Sequence, residues 1–68
     1  MEEVARLRAM IERITDGCYV VRTEAGTLAW IPTASLPCGA TFWEGDPVVV
    51  IERRAANGNR SVTLESVP

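Results

Sequence analysis

The sequence predicts an all-β domain, a small five-stranded barrel of OB-like layout, with an SH3-like barrel as the near alternative. Three observations predict it. Glycine-bearing turn signals recur at Asp16-Gly17, Ala25-Gly26, Glu44-Gly45-Asp46 and Asn57-Gly58. The segments between them are short and rich in β-branched and aromatic residues. Finally, 68 residues make one small domain, and short strands in so small a chain close most economically into a barrel, which removes exposed edges.

The first segment reads two ways. Val4, Leu7, Ile11 and Ile14 recur at helical spacing, Glu2 and Glu3 stand where a helix N-terminus favours acids, and Gly17 could cap the end. However, Ile14-Thr15-Asp16-Gly17-Cys18-Tyr19 sets an Asp-Gly pair between β-formers, a strong hairpin signal. The expectation is a strand over roughly residues 7–15, with residues 1–6 as a frayed or helical lead-in. Residues 18–23 form the second strand, residues 24–27 the turn, and Leu28-Ala29-Trp30-Ile31 the return. With Ala25-Gly26 as the turn, Val21 lies opposite Trp30 and Thr23 opposite Leu28, which puts Trp30 on a core face. Pro32 ends this strand, because proline donates nothing to a ladder.

Residues 32–41 hold two prolines and a glycine around Leu36, which predicts a connection with at most one helical turn, anchored by that leucine. Phe42-Trp43-Glu44-Gly45-Asp46-Pro47 is a turn into Val48-Val49-Val50-Ile51, an uninterrupted β-branched run that reads as buried on both faces. The Asn57-Gly58 turn leads to the last strand, in which Val62 and Leu64 face in while Ser61, Thr63 and Glu65 face out. The order is three meandering strands, a short connection and a final hairpin, in a single domain over residues 1–68.

Ile11-Glu12-Arg13-Ile14, Gly17-Cys18-Tyr19-Val20-Val21, Glu24-Ala25-Gly26, Ile31-Pro32, Leu36-Pro37 and Glu44-Gly45-Asp46 follow one another in this chain. Over residues 10–52 this progression resembles the short bacterial proteins grouped as domain of unknown function 3006. The resemblance implies a similar strand, turn and Gly-Asp arrangement and brings no activity with it. The layout is also similar to that of initiation-factor-one type OB domains, without their basic character.

Composition narrows the chemistry. There is no histidine and no lysine; seven arginines face nine carboxylates, for a net charge of −2. Without histidine the usual general base near pH 7 is missing. Neither cysteine has a base to activate it, and the serines lack triad partners. Glu44 and Asp46, the one close carboxylate pair away from the N-terminus, flank a turn glycine where solvated acids are expected. The reading is non-enzymatic. Cys18 and Cys38 are too few and too far apart for a zinc site, and they read as small apolar residues in a reducing compartment, although a disulfide between them is conceivable. No cofactor or metal is expected. No apolar run approaches the ~18 residues of a membrane span, and the acidic start lacks the apolar stretch of a secretory signal. The expected location is cytoplasmic.

What remains is binding. Successive residues of an extended segment cannot both face inward, so one of Phe42 and Trp43 is expected at the surface as an apolar anchor for a protein partner or a second copy, with Trp43 the best single candidate because exposed tryptophan is favoured at interfaces. Arg53, Arg54 and Arg60 gather at one end of the last hairpin. They would guard an edge there, or contact carboxylates or phosphates through their guanidinium forks. The alternative is single-stranded nucleic acid bound across an OB-like face by Tyr19, Arg22 and Trp30. The negative net charge favours the protein partner.

Overall fold

The computed structural model describes residues 2–36 and 41–67. Five strands, β1 (Glu2–Thr15), β2 (Cys18–Thr23), β3 (Leu28–Pro32), β4 (Pro47–Arg54) and β5 (Arg60–Ser66), form one antiparallel sheet in the order β3-β2-β1-β4-β5. Among the described residues one 3-10 turn, Thr33–Ser35, follows β3. The long β1 pairs with β2 on one side and β4 on the other, so the sheet curls around it into a half-barrel. This is the strand order of an OB-type barrel left open between β3 and β5. Those two strands approach each other without pairing.

The lead-in expected over residues 1–6 is instead strand from Glu2 onward, laddered to Arg54, Arg53, Glu52 and Ile51 of β4. Two bulges explain why this stretch mimics a helix. The pairing slips by one residue between Glu3 and Ala5 and again between Ile11 and Arg13. A bulge adds one residue and sharpens the bend, so Ile11 and Ile14, three apart, both align with inward-facing partners, Val21 and Tyr19. A spacing of three therefore arises here from a strand with a slip.

The β2–β3 register also differs from expectation. Glu24-Ala25-Gly26 form a three-residue loop closed by Gly26 N–H to Thr23 O (2.9 Å) and Thr23 N–H to Thr27 O (2.9 Å), with Gly26 at positive φ, the geometry of a type I turn followed by a left-handed residue. The extra loop residue moves every cross-strand pair by one. Trp30 therefore lies opposite Val20 rather than Val21, and Leu28 lies opposite Arg22. Trp30 is not a core residue; it stands on the outer face.

The core on the concave side comprises Ile11, Tyr19, Val21, Ile31, Phe42, Val48, Val50 and Leu64, with Leu36 and Val62 packed against it. As the β-branched run of β4 suggests, burial extends to the convex face. Ile51 is fully buried between Arg6 and Thr63 on its neighbouring strands. Across that face Arg6 reaches Glu3 (3.0 Å) and Glu65 (3.8 Å), and Arg53 reaches Glu65 (4.0 Å). Aliphatic stems of such arginines cover apolar surface while their heads stay in water. The Arg6 hydrogen bond, aided by the charges of Arg6 and Arg53, holds the Glu3 carboxyl below the ordinary carboxylate range, against a smaller opposing desolvation effect.

Candidate binding surfaces

Phe42 and Trp43 separate cleanly. The Phe42 ring packs edge-on against Tyr19 with centroids 5.7 Å apart, and its backbone N–H donates to the Tyr19 hydroxyl (3.4 Å). Each is 7% exposed. Two site assignments are corrected by this pair. Phe42 is no surface anchor and Tyr19 is no stacking platform, because Tyr19 alternates to the concave side, where Phe42 closes over it.

Trp43 is 70% exposed and is held by a rigid turn. Its N–H donates to Asp46 Oδ2 (2.8 Å), and its carbonyl accepts from Asp46 N–H (3.0 Å). Gly45, at φ 89°, supplies the left-handed residue this turn requires. The turn is then pinned to β1: Gly45 N–H donates to Ile11 O (2.8 Å), Ile11 N–H to Asp46 O (3.0 Å), and Ile14 N–H to Glu44 Oε2 (3.4 Å). Both carboxylates of the Glu44-Gly45-Asp46 turn are thus engaged in presenting the indole. An apolar side chain held this way loses little conformational entropy when a partner covers it.

The convex face of β2 and β3 carries the second exposed indole. Trp30 is 57% exposed, with Leu28 beside it along the strand and Arg22 opposite Leu28. Arg22 is already engaged, through its Nε–H to Glu12 Oε2 and its Nη1–H to the Gly26 carbonyl (3.4 Å). Of the residues assigned to a nucleic-acid face, this surface holds Arg22 and Trp30 and lacks Tyr19.

The three hairpin arginines do not form one cluster. Arg54 lies directly opposite Arg60, whereas Arg53, its neighbour in β4, points to the other side and pairs with Glu65. Arg60 Nε lies 3.5 Å from Glu52 Oε2. Glu2 stands opposite Arg54 in the β1–β4 register. Carboxylates therefore intersperse the arginines at this end. Cys18 is a free, half-buried thiol, and Cys38 lies outside the described residues. Among the described residues no cluster of His, Cys, Asp or Glu is arranged to hold a metal, and no helix is long and apolar enough to cross a membrane.

A cleft of about 560 Å³ opens along the seam beside β3, walled by Ala5, Leu7, Ala29, Val50 and Val62. Leu7 is 52% exposed in it although it shares the concave face with the core. Its signal in the sequence is Ala5 and Ala29, which occupy inward positions with side chains small enough to leave space in a barrel. Comparisons of the chain with known protein families, with curated proteins and with solved structures found no match.

Proposed function

We propose that this chain is a non-enzymatic binding module that works through contact with a partner protein or with a second copy of itself, with Trp43 as the anchor. The observation that supports it best is the indole of Trp43, largely exposed on a turn fixed by five hydrogen bonds. A monomer gains nothing in core stability from a tryptophan placed there. Tryptophan is among the residues enriched at the high-energy anchor positions of protein interfaces. Val4, Leu7, Met10, Ile14, Leu28 and Trp30 are exposed as well.

A photo-crosslinking amino acid at position 43, introduced in producing cells, tests this reading. A discrete adduct, either to a second copy or to one other protein, is the expected result. The control is position 56, also exposed but distant in sequence from the turn. No adduct from position 43, or the same smear from both positions, contradicts the reading.

A second reading is favoured by the outer face of β2 and β3, where Trp30 and Arg22 lie together on the surface that OB-type domains use for oligonucleotides. Glu12 on Arg22 and the net charge of −2 weigh against it. Saturable, salt-sensitive quenching of tryptophan fluorescence by a mixed-sequence single strand would raise it above the first; a flat titration removes it.

A further inference from the structure

We propose that the open seam between β3 and β5 is a peptide-binding site, taking an extended segment of a partner protein with alternating apolar residues and basic flanks. This rests on the protein-binding reading above but uses a surface separate from Trp43.

Thr23 N–H donates to Thr27 O (2.9 Å) and Thr33 N–H to Gly17 O (3.0 Å). These bonds set the phase of the β2–β3 ladder, so Ala29 and Ile31 turn their N–H and C=O groups toward β2. Leu28 and Trp30 turn theirs away, to the side where no strand of the described residues pairs. Among the described residues, two donors and two acceptors therefore stand in line on an unpaired edge. Exposed edges are normally guarded by charge, proline or a bulge. Leu28-Ala29-Trp30-Ile31 has none of these, and Pro32 guards only its end. By contrast β5, the other edge, carries Arg60 and Glu65.

The space beside this edge suits a strand. The cleft of about 560 Å³ is within the ~300–1,000 Å³ range of ligand sites, and the pleat of an added strand sends every second side chain into it. β5 approaches β3 and the 3-10 turn that follows it, which bounds the seam at that end and leaves it open toward Thr27 and Glu24. The charged residues lining the cleft are Arg8, Glu24 and Glu52. The balance is negative, as it is for the whole chain, and favours basic flanks on the occupant. A second copy adding β3 to β3 would carry its own curled sheet toward β5, whereas a lone strand completes the barrel.

The probe is the blocked octapeptide acetyl-KKVTVTVK-amide, added to the isotope-labelled full chain and followed by NMR. The expected result is saturable shifts centred on the Leu28 and Trp30 amides, with hydrogen exchange there slowed at least tenfold. Methylating alternate peptide nitrogens should abolish binding, and exchanging the flanking lysines for glutamates should weaken it. Leu28→Pro removes one free-edge N–H and spares the β2 ladder, a substitution that edge strands tolerate; about three- to tenfold weaker binding is expected, the worth of one hydrogen bond. The proposal is overturned by an absence of shifts, by shifts elsewhere, or by equal binding of the methylated peptide, which would indicate a merely apolar cleft. Protection of Leu28 and Trp30 in the concentrated chain without peptide would assign the edge to a second copy instead. A discrete crosslink from position 43 alongside a silent seam retains the module and discards this site, and the reverse result discards the Trp43 anchor.

Discussion

Phe42 and Trp43 are neighbours with opposite fates, and stability measurements separate them. Phe42 is buried against Tyr19, so Phe42→Ala should cost about 3–5 kcal/mol. Trp43→Ala removes a side chain that stands in water and should stay within about 0.5 kcal/mol of the parent. Chemical denaturation of the two variants checks both, and a large loss at Trp43 would place that indole in the core. Alternation along an extended chain tells that one of the pair faces out, and only the interface preference of tryptophan favours Trp43; no local pattern decides which. That depends on Tyr19, 23 positions earlier, turning its ring to the same side. Trp30 was harder still, because its face follows from a loop whose length by a single residue decides the register.

At the scale of elements, the turns were legible and the pairings between them were not. Asp16-Gly17, Glu24-Ala25-Gly26, Glu44-Gly45-Asp46 and Asn57-Gly58 each sit at a reversal or a bend, because glycine at positive φ is a local requirement written into one residue. The bulges of β1 are not local. They arise where one strand serves two neighbours with different registers, and in the sequence they imitate helical spacing. The Gly45 turn gives a test at this scale. Gly45→Ala forces an L-residue to φ near 89°, where nothing crowds the new methyl group, so the cost should be conformational alone, about 1–2 kcal/mol. The same change should loosen the turn that presents Trp43. Thermal unfolding measures the first effect, and crosslinking yield from position 43 in the Gly45→Ala background measures the second. An unchanged melting temperature would mean that the turn can adopt another backbone geometry.

Across the whole molecule, the all-β class and the order of strands follow from hydrophobic pattern and turn chemistry, whereas incomplete closure follows from volume. Ala5 and Ala29 face inward, and the cleft they line depends on small side chains on two strands that only the fold brings together. The same holds for charge. Seven arginines and nine acids look like an unremarkable mixture along the chain, but the fold sorts part of it into the Glu3, Arg6, Arg53 and Glu65 network on the convex side. The surface thus becomes polar over β4 and β5 and apolar near Trp30, Leu28 and Trp43.

A β-barrel left open along one unguarded edge is the centre of this account, and amide hydrogen exchange along β3 in the dilute chain tests it most directly. The ladder geometry predicts an alternation: Ala29 and Ile31 slow, bonded to β2, and Leu28 and Trp30 fast, facing water. Uniform protection of all four amides would contradict it, since it would mean that the seam is closed and the edge already paired.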